Sequence, residues 1–194
     1  MLFRSDSVTT TGPVGITLSL NDFQADAGGE ALRDMADQII NGQFLEAAKG
    51  DDYVGVQTYT RVRFGEAGVL PPPDGAEATQ MGYEFYPEAL EATIRQTARV
   101  SGCPVIVTEN GIGTEKDTER MTYTKRALKG VLNCLRDGVD VRGYIHWSLL
   151  DNFEWLEGYG PKFGLVEVDR TTQARKPKPS AYWLGEIAKK NAMG

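Results

Sequence analysis

The residues best placed to do chemistry stand at the ends of three apolar runs. Glu109 follows Pro104 to Thr108, Tyr59 nearly closes Tyr53 to Thr60, and Trp147 lies near the end of Val141 to Ser148. If these runs are parallel strands of a barrel, their C-terminal ends line one reaction face and all three side chains point at one cavity. A carboxylate can act as nucleophile or acid, a phenol can hold it by a hydrogen bond, and an indole face can cover the apolar side of a sugar ring. Each has a packing alternative. Trp147 and Trp155 read equally well as core aromatics, and Tyr59 can be a core tyrosine. His146, one residue from Trp147, points to the opposite face of its strand and reads as a packed histidine rather than a base. The acidic run Glu115 to Glu119 reads as a solvated helix start favoured by the helix dipole.

The elements that must position these residues alternate between short β-branched runs and longer stretches of helical period, the signature of βα units. The first strand is expected over Val14 to Leu20, closed by the cap-like Asn21-Asp22. A helix is expected from about Gly29 to Ala48, with Leu32, Met35, Ala36, Ile39, Ile40 and Phe44 on one face. After the second strand, Tyr53 to Thr60, the stretch Pro71 to Gly75 excludes helix and central strand and reads as a surface loop. Pro87 opens a helix that runs to about Val100 and stops at Gly102. The strand Pro104 to Thr108 is apolar without alternation, as in a strand covered on both faces. A helix over Asp117 to Arg136, the strand Val141 to Ser148 and a helix over Ser180 to Lys190 complete four units. Crossover helices return the chain to the same end each time, so the sheet should be parallel. The expected fold class is α/β, with a tail over residues 1–12 and a (βα)4 unit over 13–194.

With 194 residues, of which 41% are hydrophobic and 25% charged, the chain has the composition of one globular domain. A net charge of −6 disfavours nucleic acid and anionic membranes, whose binding relies on Lys and Arg. No long apolar run or leader-like N-terminus is apparent, so the expected location is cytoplasmic. Cys103 and Cys134 form no metal-ligand pattern and read as buried free thiols, and no cofactor or metal is implied.

Two strings narrow the reading. Val107-Thr108-Glu109-Asn110-Gly111 resembles the TENG motif of glycoside hydrolase family 1, and Tyr144 to Gly164, YIHWSLLDNFEWLEGYGPKFG, resembles that family's C-terminal signature. The first alone would be weak; the second, about twenty residues long, is specific. Val54 to Arg61, VGVQTYTR, resembles the family strand whose tyrosine reaches the nucleophile, and the match continues through Lys178-Pro179-Ser180 and Trp183. The resemblance covers about Pro13 to Ile187.

It implies strands five to eight of a TIM (β/α)8 barrel, the C-terminal half of a retaining β-glycosidase of the β-glucosidase type. Glu109 would be the nucleophile and Tyr59 its hydrogen-bond partner. Trp147 would be the stacking platform, Glu154 and Trp155 would bind sugar hydroxyls, and Phe163 would pack behind. Gln57 and Thr58 depart from the family's asparagine and tyrosine. Retention also needs a second carboxylate about 5 to 5.5 Å away, carried in the family by Thr-x-Asn-Glu-Pro on strand four. No such motif occurs here. The chain alone is therefore expected to be a weak or inactive hydrolase of β-glucosides, the alternative being a silent half barrel, structural or weakly sugar-binding. An open half barrel leaves two sheet edges, which predicts a homodimer or a complex with a missing N-terminal half. That expectation also places Val54, Val56, Val105, Val107 and Ile145, in whichever alternation applies, on an inward face needing cover.

Overall fold

The computed structural model describes residues 11–193. Most of the expected N-terminal tail, residues 1–10, lies outside the described residues.

A four-stranded parallel sheet forms the centre. Its strands β1 (Gly15–Ser19), β3 (Tyr53–Gln57), β6 (Val105–Glu109) and β7 (Val141–Tyr144) follow each other in chain order. Helices α3 (Ala89–Ser101) and α4 (Asp117–Arg136) cross over between them, and α5 (Pro179–Lys190) follows. Gly102 takes φ +72° and closes α3, a conformation that costs glycine nothing. The strand expected over Val141 to Ser148 ends earlier as a ladder. The chain still runs beside β6, with Ile145 N–H donating to the Val107 carbonyl and Trp147 N–H to that of Asn110.

The core lies between this sheet and its helices. Val54, Val56, Val105 and Val107 are fully buried there against Leu45, Leu90, Ile94, Tyr123, Ala127 and Val131. This corrects the expectation that these valines form an inward face needing cover. On the face turned from the helices, Thr17 and Thr108 flank Gly55, where an added Cβ would lie 2.3 Å from Thr17 Oγ1, and Ile106 lies beside Gly143. Ile145 is exposed, as expected, but beyond the end of β7.

Three further departures have physical causes. The helix expected over Gly29 to Ala48 is α1 (Glu30–Asp37), a π-helical turn (Gln38–Gly42) and α2 (Gln43–Ala47). The wider turn rotates the apolar stripe, so Leu45 and Asn41 are buried while Met35 (56% exposed), Ile39 (55%), Ile40 and Phe44 face outward. Next, Asn21-Asp22 caps no helix. The chain runs on as β2 (Asp22–Ala25), parallel to β4 (Arg61–Gly65), which pairs antiparallel with β5 (Gly68–Val69). Phe23 against Phe64, with ring centroids 5.8 Å apart, and Arg61 donating to both Glu84 oxygens at 2.9 and 2.6 Å hold this second sheet. The strands β8 (Val166–Val168) and β9 (Arg175–Pro177) form a small hairpin before α5.

The two cysteines are free and buried. Asp117 is more than a solvated helix start. It accepts from Ser180 N–H at 2.7 Å and Oγ at 2.6 Å, and from Arg120 at 2.6 Å, tying α4 to the start of α5. Burial pushes its carboxyl up, but these donors overcome that and hold it below the usual range.

Candidate active site

Glu109 closes β6 at the C-terminal edge of the central sheet. Its direction depends on the register. Val56 pairs with Val107, but Gln57 pairs with Glu109, so Thr108 is an extra residue on β6 and the ladder bulges there. A one-residue bulge re-aims the side chains beyond it. Strict alternation from the buried Val107 would have turned Glu109 toward the helices; the bulge brings it to the face that Gln57 occupies.

Two donors hold the carboxylate. The Tyr59 hydroxyl donates to Oε2 at 2.5 Å, and Gln57 Nε2 donates to Oε1 at 2.8 Å. Burial, the hydrogen bond to Glu109 and the charges of Glu109 and Glu154 all raise the Tyr59 pKa, so the phenol keeps its proton and remains a donor. The Tyr59 ring meets Phe163 edge-on, centroids 6.1 Å apart. Thr58, the other departure from the family pattern, points away into the core, where its Oγ1 lies 2.9 Å from that of Thr93.

The Asn110-Gly111 pair after Glu109 supports the site from behind. Asn110 Nδ2 donates to the Thr58 carbonyl at 2.7 Å, and the Tyr123 hydroxyl donates to the Tyr59 carbonyl at 2.6 Å, so the ends of β3 and β6 are tied together under the carboxylate. At Gly111 an added Cβ would fall 2.0 Å from the Trp147 carbonyl oxygen. Only glycine allows this close approach between the Glu109 loop and the Trp147 segment.

Glu154 is buried and accepts from Asn152 Nδ2 at 2.6 Å and from Trp147 Nε1 at 3.4 Å. Its charge also reaches Tyr59. The sequence-derived set is thus brought together in part: Tyr59 and Glu109 are bonded, Phe163 packs on Tyr59, and Glu154 links Trp147 to the group. Trp155 is set apart at the start of a 3-10 turn, 80% exposed. Asn152 carried no expected role, and Gln57 entered only as a departure from the family's asparagine. The sign of Gln57 in the sequence was its place two residues before Tyr59, where the family has asparagine. His146 is no base at this site: its ring nitrogens are buried, and burial together with the positive Arg120 lowers its pKa to about 4. Beside Tyr59 a cavity of about 280 Å³ opens, lined by Leu70, Pro71, Pro72, Tyr83 and Glu84 among others. Among the described residues no group of three or more His, Cys, Asp or Glu could hold a metal ion, and no helix is long and apolar enough to cross a membrane.

A carboxylate gripped at both oxygens, at the edge of a parallel sheet, is held in one orientation, the geometry that a nucleophile or a base needs. The family model described as Glycosyl hydrolase family 1 matches residues 44–193. The chain belongs to glycosyl hydrolase family 1. Among its relatives in the family, a beta-galactosidase of Sulfolobus acidocaldarius is 38% identical over 180 residues, covering 81% of this chain and 37% of the relative. Beta-glucosidase A of Thermotoga maritima is 38% identical over 179 residues, covering 84% of this chain and 40% of the relative. The crystal structure of beta-glycosidase BGL167 superposes with a TM-score of 0.90 at 54% identity, covering 94% of this chain and 44% of that one. The chain spans about half or less of the length of the family members it matches.

Proposed function

We propose that this chain is the part of a retaining β-glycosidase that supplies strands five to eight of the barrel, with Glu109 as the nucleophile that attacks the anomeric carbon of a β-glucoside. The observation that carries the reading is the double hold on Glu109, by Tyr59 at 2.5 Å and Gln57 at 2.8 Å, at a strand end reached through a bulge. In-line attack at carbon requires a fixed carboxylate, and donors on both oxygens hold it in one orientation. Trp147, Glu154 and Trp155 are then the sugar-binding surface, with Phe163 packed behind it. The 80% exposure of Trp155 fits a residue that waits for substrate or for a partner surface.

The acid/base carboxylate would come from a part of the family barrel that this chain does not span, paired against the open edges of β1 or β7. One observation favours the second reading, a silent half barrel: the sequence contains no Thr-x-Asn-Glu-Pro segment to supply that acid. Trapping discriminates the two. A 2,4-dinitrophenyl 2-deoxy-2-fluoro-β-glucoside leaves without acid assistance and stalls as the glycosyl-enzyme. Mass spectrometry should find one sugar per chain, on the peptide containing Glu109, and none in Glu109→Gln. Labelling that persists in that variant, or no labelling of the parent chain, would overturn the nucleophile reading.

A further inference from the structure

Gln57 departs from the family pattern and yet lies 2.8 Å from the carboxylate of Glu109. The nitrogen end of its amide must face Glu109, because the carbonyl end would set two acceptors against each other. That leaves the side-chain oxygen of Gln57, Oε1, pointing elsewhere. It accepts no hydrogen bond from any described residue, and the side chain is half-buried at the reaction face.

We propose that Gln57 is a positioning and specificity residue: one amide N–H orients Glu109, while its carbonyl oxygen accepts a hydrogen bond from the sugar hydroxyl on the carbon next to the anomeric centre. The inference rests on Glu109 being the nucleophile and deepens that reading. An attacking carboxylate oxygen comes within about 3 to 3.5 Å of the anomeric carbon. A group already bonded to the other carboxylate oxygen is then close to a substituent of a ring atom adjoining that carbon. Two ring atoms adjoin it. The ring oxygen has no proton to donate, so a carbonyl acceptor discriminates in favour of the neighbouring carbon's hydroxyl. Hydrogen bonds to that hydroxyl strengthen as positive charge develops on the ring. Tyr59 cannot serve here, since its proton is committed to Oε2.

The test compares 2,4-dinitrophenyl β-glucoside with its 2-deoxy analogue, both of which depart without acid assistance. Gln57→Leu keeps the shape and removes donor and acceptor. It should lower kcat/KM on the glucoside by about tenfold more than on the 2-deoxy substrate, the scale of one neutral hydrogen bond. Equal losses on both substrates would overturn the hydroxyl contact, because a merely structural role cannot tell the substrates apart. Loss of both activities in Glu109→Gln leaves the nucleophile reading standing whichever way that ratio falls. A second readout needs no turnover. The Gln57 side-chain amide pair, assigned in nitrogen-proton NMR spectra by its disappearance in Gln57→Leu, should move in Glu109→Gln and on titration with glucose, and much less with 2-deoxyglucose. A pair that ignores Glu109→Gln refutes the positioning role, and equal or absent responses to the two sugars refute the specificity role.

Discussion

Gln57 on β3 is paired with Glu109 on β6, two positions after Val107 pairs with Val56, and the skipped Thr108 is what places amide and carboxylate on one face. A single inserted residue thus converts a core-directed position into a site-directed one. The same geometry lets both oxygens of one carboxylate find different donors, Tyr59 from beyond the end of β3 and Gln57 from within it.

Tyr59→Phe keeps the ring against Phe163 and removes one of these donors. Hydrogen bonds to charged groups contribute about 1.5 to 3 kcal/mol. The rate of fluoro-sugar labelling at Glu109 should therefore fall by about ten- to a hundredfold with little change in melting temperature. An unchanged rate would show that the phenol does not orient the nucleophile.

Asp117→Ala should destabilise the fold by about 3 kcal/mol, because Arg120 is only 1% exposed and would lose its carboxylate partner. Ser180→Ala removes one hydroxyl donor to the same carboxylate and should cost about 1.5 kcal/mol. Urea unfolding measures both, and equal effects would mean that the buried charge is compensated by the Thr114 and Lys162 carbonyls alone.

Acid should weaken the protein through His146. Burial and the neighbouring Arg120 lower its pKa from 6.5 to about 4 in the fold, with Asp117 and Lys178 also near it. The unfolded chain then takes up the proton first. Stability from this residue is complete above about pH 6.5 and declines as pH falls toward about 4, by up to about 3 kcal/mol. His146→Leu should flatten that part of the stability curve in urea titrations at pH 7, 6 and 5. A parallel decline in parent and variant would assign the acid sensitivity elsewhere.

The purified chain should self-associate. Both outer strands, β1 and β7, present an unpaired edge among the described residues. The outward stripe Met35, Ile39, Ile40 and Phe44 follows β1 in the chain, while Leu132 and Leu135 line a groove with Val141 at the β7 edge. Unpaired edges and apolar stripes favour association. Light scattering at micromolar concentration should find a mass near twice 21.3 kDa or above, and a stable monomer that unfolds cooperatively would refute this.

Much of the architecture was legible in the residue order. Short β-branched runs located the four central strands, and period-3.6 patterns with Pro and Gly boundaries located the helices over 89–101, 117–136 and 179–190, to within a few residues. The candidate nucleophile was legible for a similar local reason: Glu109 ends an apolar strand and is followed by a glycine that only a close approach requires. Tertiary structure decided the rest. A bulge leaves no mark in hydrophobic periodicity, so the facing of Glu109 and its bond to Gln57 follow only from the partner strand's register. The side of the sheet on which Val54, Val56, Val105 and Val107 lie is likewise set by which face the helices cover, and alternation alone does not name it. The parallel pair β2 and β4 joins segments far apart in sequence, and the clamp of Asp117 on Ser180 joins the starts of two helices. Contacts of that separation depend on how the chain closes in space, which no local pattern of residues encodes.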